Sequence, residues 1–88
     1  MSTEQDLRAL VISVVCQIAP DVDPAAIDPD AALAEQLDID SMDVLNIVVE
    51  INARTGIEIP ERDYPKLSTL NGAVSYVARA QTHVAGSA

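Results

Sequence analysis

The sequence predicts an all-α fold, a small bundle of three main helices and one short helix with a long first loop. Two features carry that expectation. Apolar residues recur at helical spacing in three separate segments, and side chains that start or stop helices bound those segments. The first segment, "TEQDLRALVISVVCQIAP" from Thr3, puts Leu7, Leu10, Val11, Val14, Val15 and Ile18 at that spacing. Thr3 followed by Asp6 has the spacing of a capping box, and Pro20 ends the run. Cys16 falls about 180° from Leu7 on the helical wheel, at roughly 100° per residue. With no second Cys or helical His near it, it reads as a small, partly covered side chain.

From Pro20 to Asp40 the chain is a long connection containing Pro20, Pro24 and Pro29. "DPAAI" suits one short turn, and Leu33 and Leu37 are expected to pin the loop to the core. Loops this long are uncommon unless they serve a function. A calcium loop beginning at Asp21 fails on its ligands: Asp23 is in register, but Ala25, Ala26 and Ala32 stand where a ligand, a glycine and a bidentate glutamate are needed.

The second main helix is expected from Ser41 to Thr55, closed by Gly56. It carries two apolar stripes. Val44, Ile47, Val48 and Ile51 suit the core, which leaves Met42, Leu45 and Val49 as a strip for a partner. Asp43, Glu50 and Arg54 share the polar face. In "GIEIPERDYPKL", Pro60 can begin a short turn of helix and Pro65 is expected to stop it early. The last helix opens at Ser68 or Thr69, buries Leu70, Val74 and Val77 behind Leu67, and fades near Gln81. Together these make one domain over residues 1–88, with an ordered core of about 3–80 and a frayed tail at 81–88 that includes His83.

Composition narrows the function. Of the 88 residues, 49% are hydrophobic, yet Phe and Trp are absent, so the core is built of small aliphatic side chains. Such a core in so short a chain leaves a net stability of roughly 3–5 kcal/mol. A net charge of -9 opposes binding to DNA, RNA or an anionic membrane and favours basic protein surfaces. No apolar run is long enough for membrane insertion, and a single cysteine excludes an internal disulfide. A cytoplasmic monomer is expected. One His, one Cys, no glycine-rich phosphate loop and no metal-ligand spacing leave no catalytic constellation, so the chain is expected not to be an enzyme.

The stretch "LDIDSMD" at 37–43 stands apart from this pattern. A Ser at a helix N-cap is worth about 1 kcal/mol. Asp40 can do the same work, with Asp43 three residues on in a box-like arrangement, and its charge suits the helix N-terminus. If Asp40 caps, Ser41 becomes the first helical residue and its hydroxyl is surplus.

"LAEQLDIDSMD", then helical spacing to Gly56, then "IEIPERD" and "KLSTLNGAVSYV", resembles the acyl carrier protein family from about Leu33 to Val77. The family's Asp-Ser-Leu motif stands here as Asp40-Ser41-Met42, and Met is a near-isosteric exchange. The resemblance implies that Ser41 receives 4′-phosphopantetheine from coenzyme A, added by a phosphopantetheinyl transferase (holo-carrier synthase). The thiol of that arm would carry acyl intermediates as thioesters. It also implies that Asp40, Met42, Asp43, Leu45, Asn46 and Val49 meet acyl-loading, acyl-transfer and synthase enzymes through basic docking patches. The chain departs from the family's usual pattern at Asp38, where glycine is usual, and at Asn46 and Asn52, where acidic residues are common. Ala53, Arg54, Thr55 and the Tyr64-Pro65 pair depart from it as well. These differences point to a specialised lipid or polyketide-type pathway. Two other functions fit parts of the sequence. A peptidyl or aminoacyl carrier keeps the arm, although the glycines usual before its serine are missing from "DIDSMD". A small acidic helical interaction module needs no arm but gives Ser41 no task.

Overall fold

The computed structural model describes the backbone of residues 3–87 and the side chains of residues 3–81. Its main helices are α1 (Glu4–Ile18), α3 (Ser41–Thr55) and α4 (Leu70–Ser87), and a single-turn helix, α2 (Leu33–Gln36), sits in the long loop. Two 3₁₀ segments, Pro24–Ala26 and Glu61–Leu67, complete the order, and no strand occurs among the described residues.

α1 begins as its sequence requires. The Thr3 hydroxyl accepts from the Asp6 amide at 3.1 Å, and the Asp6 carboxylate accepts from the Thr3 amide at 3.3 Å. Leu7, Val11, Val14 and Val15 are buried, while Leu10 and Ile18 pack half-buried against the core. Cys16 is partly covered and unpaired. α1 packs on both α3 and α4. Their buried faces supply Ile47 and Ile51 from α3 and Leu70, Ala73, Val74 and Val77 from α4. Burial of these β-branched and leucine side chains is the main force holding the bundle, each worth about 1.5–3 kcal/mol before chain entropy is counted.

The long loop is tied down by polar groups that close on themselves. Asp23 caps the 3₁₀ turn by accepting from the Ala25 amide at 3.0 Å. The Gln36 side chain accepts from the Asp28 amide at 2.8 Å and donates to the Asp28 and Ala31 carbonyls. Asn71 of α4 accepts from Arg8 of α1 at 2.7 Å and donates to Asp30 of the loop at 2.6 Å. Leu33 is buried and Leu37 half-buried, as pins between loop and core.

Three local expectations give way. α2 forms where only a pinned loop was expected, because Leu33 is held at both ends: its amide donates to Ser68 and its carbonyl accepts from Leu37. Pro65 does not stop the short helix, which runs through it to Leu67. In a 3₁₀ helix each amide reaches back three residues, so a proline forfeits only one bond. Those on either side persist, Asp63 to Pro60 at 2.9 Å and Ser68 to Pro65 at 3.2 Å. The last helix does not fade near Gln81 but extends to Ser87. The side chains beyond Gln81, that of His83 included, lie outside the described residues, so the expected fraying of the tail falls there.

Candidate functional site

The start of α3 is positioned by a turn of unusual backbone. Asp38 has φ 52°, the left-handed region that favours glycine, and it is the only non-glycine residue there among the described residues. The resemblance to acyl carrier proteins makes glycine the usual residue at this position, and the Asp38 backbone has the conformation that glycine adopts most readily. The turn also lets the Ile39 amide bond the Ala34 carbonyl at 3.2 Å, bringing the chain back over α2.

Asp40 follows in extended conformation and caps α3, its carboxylate accepting from the Asp43 amide at 3.0 Å. The box-like arrangement is only half made: the Asp43 amide bonds Asp40, but the Asp43 carboxylate does not return a bond to the Asp40 amide, as Asp6 does to Thr3 in α1. Ser41 is therefore the first helical residue. It is exposed, and its hydroxyl makes no hydrogen bond among the described residues.

The neighbouring side chains divide as their spacing requires. Ile47, Val48 and Ile51 are buried, and Val44 is half-buried. On the outer side Met42 is 62% exposed and Val49 55% exposed, with Leu45 half-buried between them and Asn46 exposed beside them. Asp40, Ser41, Met42, Asp43, Leu45, Asn46 and Val49 thus lie within the N-cap and first three turns of one helix. The far end of α3 is fixed by residues that depart from the family pattern. Arg54 donates to Ser13 at 3.2 Å and to Gln17, both on α1, and pairs with Glu50 at 3.5 Å. Asn52 donates to the Ile57 carbonyl and Thr55 to the Ile51 carbonyl, closing the helix onto Gly56, whose φ is 74°.

Behind the site is an enclosed apolar cavity of about 70 Å³, lined by Leu33, Val44, Ile47 and Leu67 among others. Sequence reasoning passed over it, since its walls come from three separate elements.

A polar link sits away from this site, between the 3₁₀ helix and α4. The Tyr76 hydroxyl donates to the Asp63 carboxylate at 2.8 Å. That bond, assisted by Lys66 and Arg62, holds the Asp63 carboxyl below its ordinary pKa, against a smaller opposing effect of desolvation. Burial and the adjacent Asp63 charge push the Tyr76 phenol up.

A family model described as "Phosphopantetheine attachment site" matches residues 7–77. The chain is 32% identical over 78 residues to an acyl carrier protein of Rubrobacter xylanophilus, covering 85% of this chain and 96% of that one. It is 26% identical over 77 residues to the meromycolate extension acyl carrier protein of Mycobacterium tuberculosis, covering 88% of this chain and 66% of that one. The fold is similar to that of the solved acyl carrier protein from Enterococcus faecalis, with a TM-score of 0.76 at 23% identity, covering 90% and 99% of the two chains.

Proposed function

This chain belongs to the acyl carrier protein family, and on that premise we propose that Ser41 is the attachment residue for 4′-phosphopantetheine, the family's prosthetic group. The single observation that carries the assignment is the Ser41 hydroxyl, exposed and unbonded while Asp40 caps the helix. The surroundings fit the group. The first amides of a 15-residue helix favour a phosphodiester at its tip. Asp40 and Asp43 oppose it by about 1 kcal/mol per pair of charges at 4 Å in water. They leave a locally negative tip that an enzyme must approach with cations. When attached, the group supplies a thiol on a flexible arm that carries an acyl chain as a thioester. The protein's part is presentation without catalysis: Asp40 and Asp43 steer basic partners, and Met42, Leu45 and Val49, with Asn46 at the edge, give short-lived apolar affinity. Its partners are a phosphopantetheinyl transferase and the loading and synthase enzymes of the cytoplasm.

The assignment is tested by intact mass after incubation with coenzyme A, magnesium and a broad-specificity transferase. The native chain gains one arm and Ser41→Ala gains none. An unchanged native mass sinks the assignment.

The pathway we propose is a dedicated lipid or polyketide-type one. Its support is the reduced acidity of α3, where Asn46 and Asn52 stand at positions that are often acidic and Arg54 adds a cation. The relative named for meromycolate extension is compatible with it. Rescue of a strain lacking its housekeeping carrier, as complete as by that carrier itself, would end this part of the proposal.

A further inference from the structure

Five cations stand against a net charge of -9, and they are not spread evenly. Two are consumed inside the bundle: Arg8 bonds Asn71 and pairs with Glu4, and Arg54 fastens α3 to α1. The remaining three, Arg62, Lys66 and Arg79, belong to the 3₁₀ helix and α4. Among the described residues Arg62 and Arg79 make no hydrogen bond or ion pair. Lys66 pairs with Asp63 at 3.3 Å.

Between those two elements runs an open groove of about 530 Å³, lined by Lys66, Gly72, Ser75, Tyr76, Arg79 and Ala80. Its walls are set by close packing. A Cβ on Gly72 would lie 2.4 Å from the Lys66 carbonyl oxygen, so only glycine lets the 3₁₀ helix approach this near. The Tyr76 to Asp63 hydrogen bond clamps the same pair of elements. The groove is therefore preformed, mostly apolar in its lining and edged by Lys66 and by Arg79, which is unpaired among the described residues. With Glu61 and Asp63 counted against Arg62, Lys66 and Arg79, these elements carry a slight positive excess on a chain that is otherwise strongly negative.

We propose that this groove is a second docking surface and that it takes an acidic, amphipathic segment of a partner protein. Charge complementarity selects the sign of the occupant. The open shape selects its kind: a small carboxylate would stay hydrated and meet only exposed cations, a weak contact. A chain segment with Asp or Glu beside apolar side chains adds apolar burial to the same charges. The surface is opposite in sign to the Asp40 and Asp43 end of α3, so a partner that engages both is fixed in orientation as well as in affinity. This inference does not depend on what is attached to Ser41.

The test is amide chemical-shift titration of the full chain with a short synthetic peptide of alternating Leu and Glu, and with its Leu–Lys counterpart as control. The Leu–Glu peptide shifts the amides of Lys66, Ser75 and Arg79, while the Leu–Lys peptide does not. Arg79→Glu, which breaks no internal bond, weakens Leu–Glu binding about tenfold, with Arg79→Gln between it and the native chain. Retained helical circular dichroism and an unchanged urea midpoint show that both variants are folded. No shift at these amides, shifts centred on α3, or equal binding by Arg79→Glu would overturn the proposal. Octanoate matching the peptide in affinity at the same amides would overturn the choice of a protein segment.

Discussion

α1 and α3 are each 15 residues long and open the same way, with a polar residue in extended conformation accepting from the amide three residues on. There the likeness ends. At α1 the bond is returned: Thr3 and Asp6 satisfy each other's amides, and both side chains are engaged in the cap. At α3 the return bond is missing, and Ser41 stands on the first turn with nothing to hold. One helix start is closed for stability. The other is capped by Asp40 alone, which leaves the Ser41 hydroxyl exposed and unbonded.

The sharpest way to break this contrast is a pair of substitutions. Ser41→Ala abolishes arm attachment and shifts stability by no more than about 0.5 kcal/mol, as expected of an unbonded surface group. Thr3→Ala does the reverse, with full attachment and a loss of about 1 kcal/mol in urea unfolding. Equal destabilisation by the two would mean that the Ser41 hydroxyl is a cap after all. Asp40→Ala comes next, costing about 1 kcal/mol, because no other side chain at this end bonds the backbone. A neutral result would show that Ser41 or Asp43 can take over.

A smaller effect separates the approaches to the two helices. Only α3 is entered through a left-handed aspartate. Asp38→Gly relieves that conformation but loosens the unfolded chain, for a net gain of about 0.5 kcal/mol read as a higher urea midpoint. An unmoved midpoint would mean that the Asp38 side chain already compensates. The mildest effect concerns the link on α4, a third helix that is anchored rather than open. Asp63 is lowered from 3.8, so its contribution is present above that value and disappears as pH falls through the lower folded pKa. Tyr76 is raised from 10.0, so its contribution is present below that value and disappears as pH rises through the higher folded pKa. Tyr76→Phe should flatten both limbs of the stability–pH curve; an alkaline limb identical to the native one would locate the titration elsewhere.

Much of this was legible in the sequence because it is local. The capping pair Thr3 and Asp6, the Gly56 stop, the buried faces of the three main helices and the choice of Asp40 over Ser41 as cap all follow from residues within two turns of one another. The rest depends on contacts across the chain. α2 has four residues, too few to show a period, and exists because Ser68 accepts its first amide. Asn71 joins α1 to the loop across 63 and 41 residues of sequence, a pairing no window along the chain contains. Arg54 looked like a surface charge on α3 but spends its guanidinium on α1. The basic groove was hidden for a simpler reason: a net charge counts signs without placing them.

The pocket behind Val44 limits what the bundle can conceal. Were an acyl chain carried at Ser41, a long hydrocarbon tail would exceed this pocket as it stands, and sheltering all of it would require the helices to part. The part left outside would then depend on the next enzyme for cover.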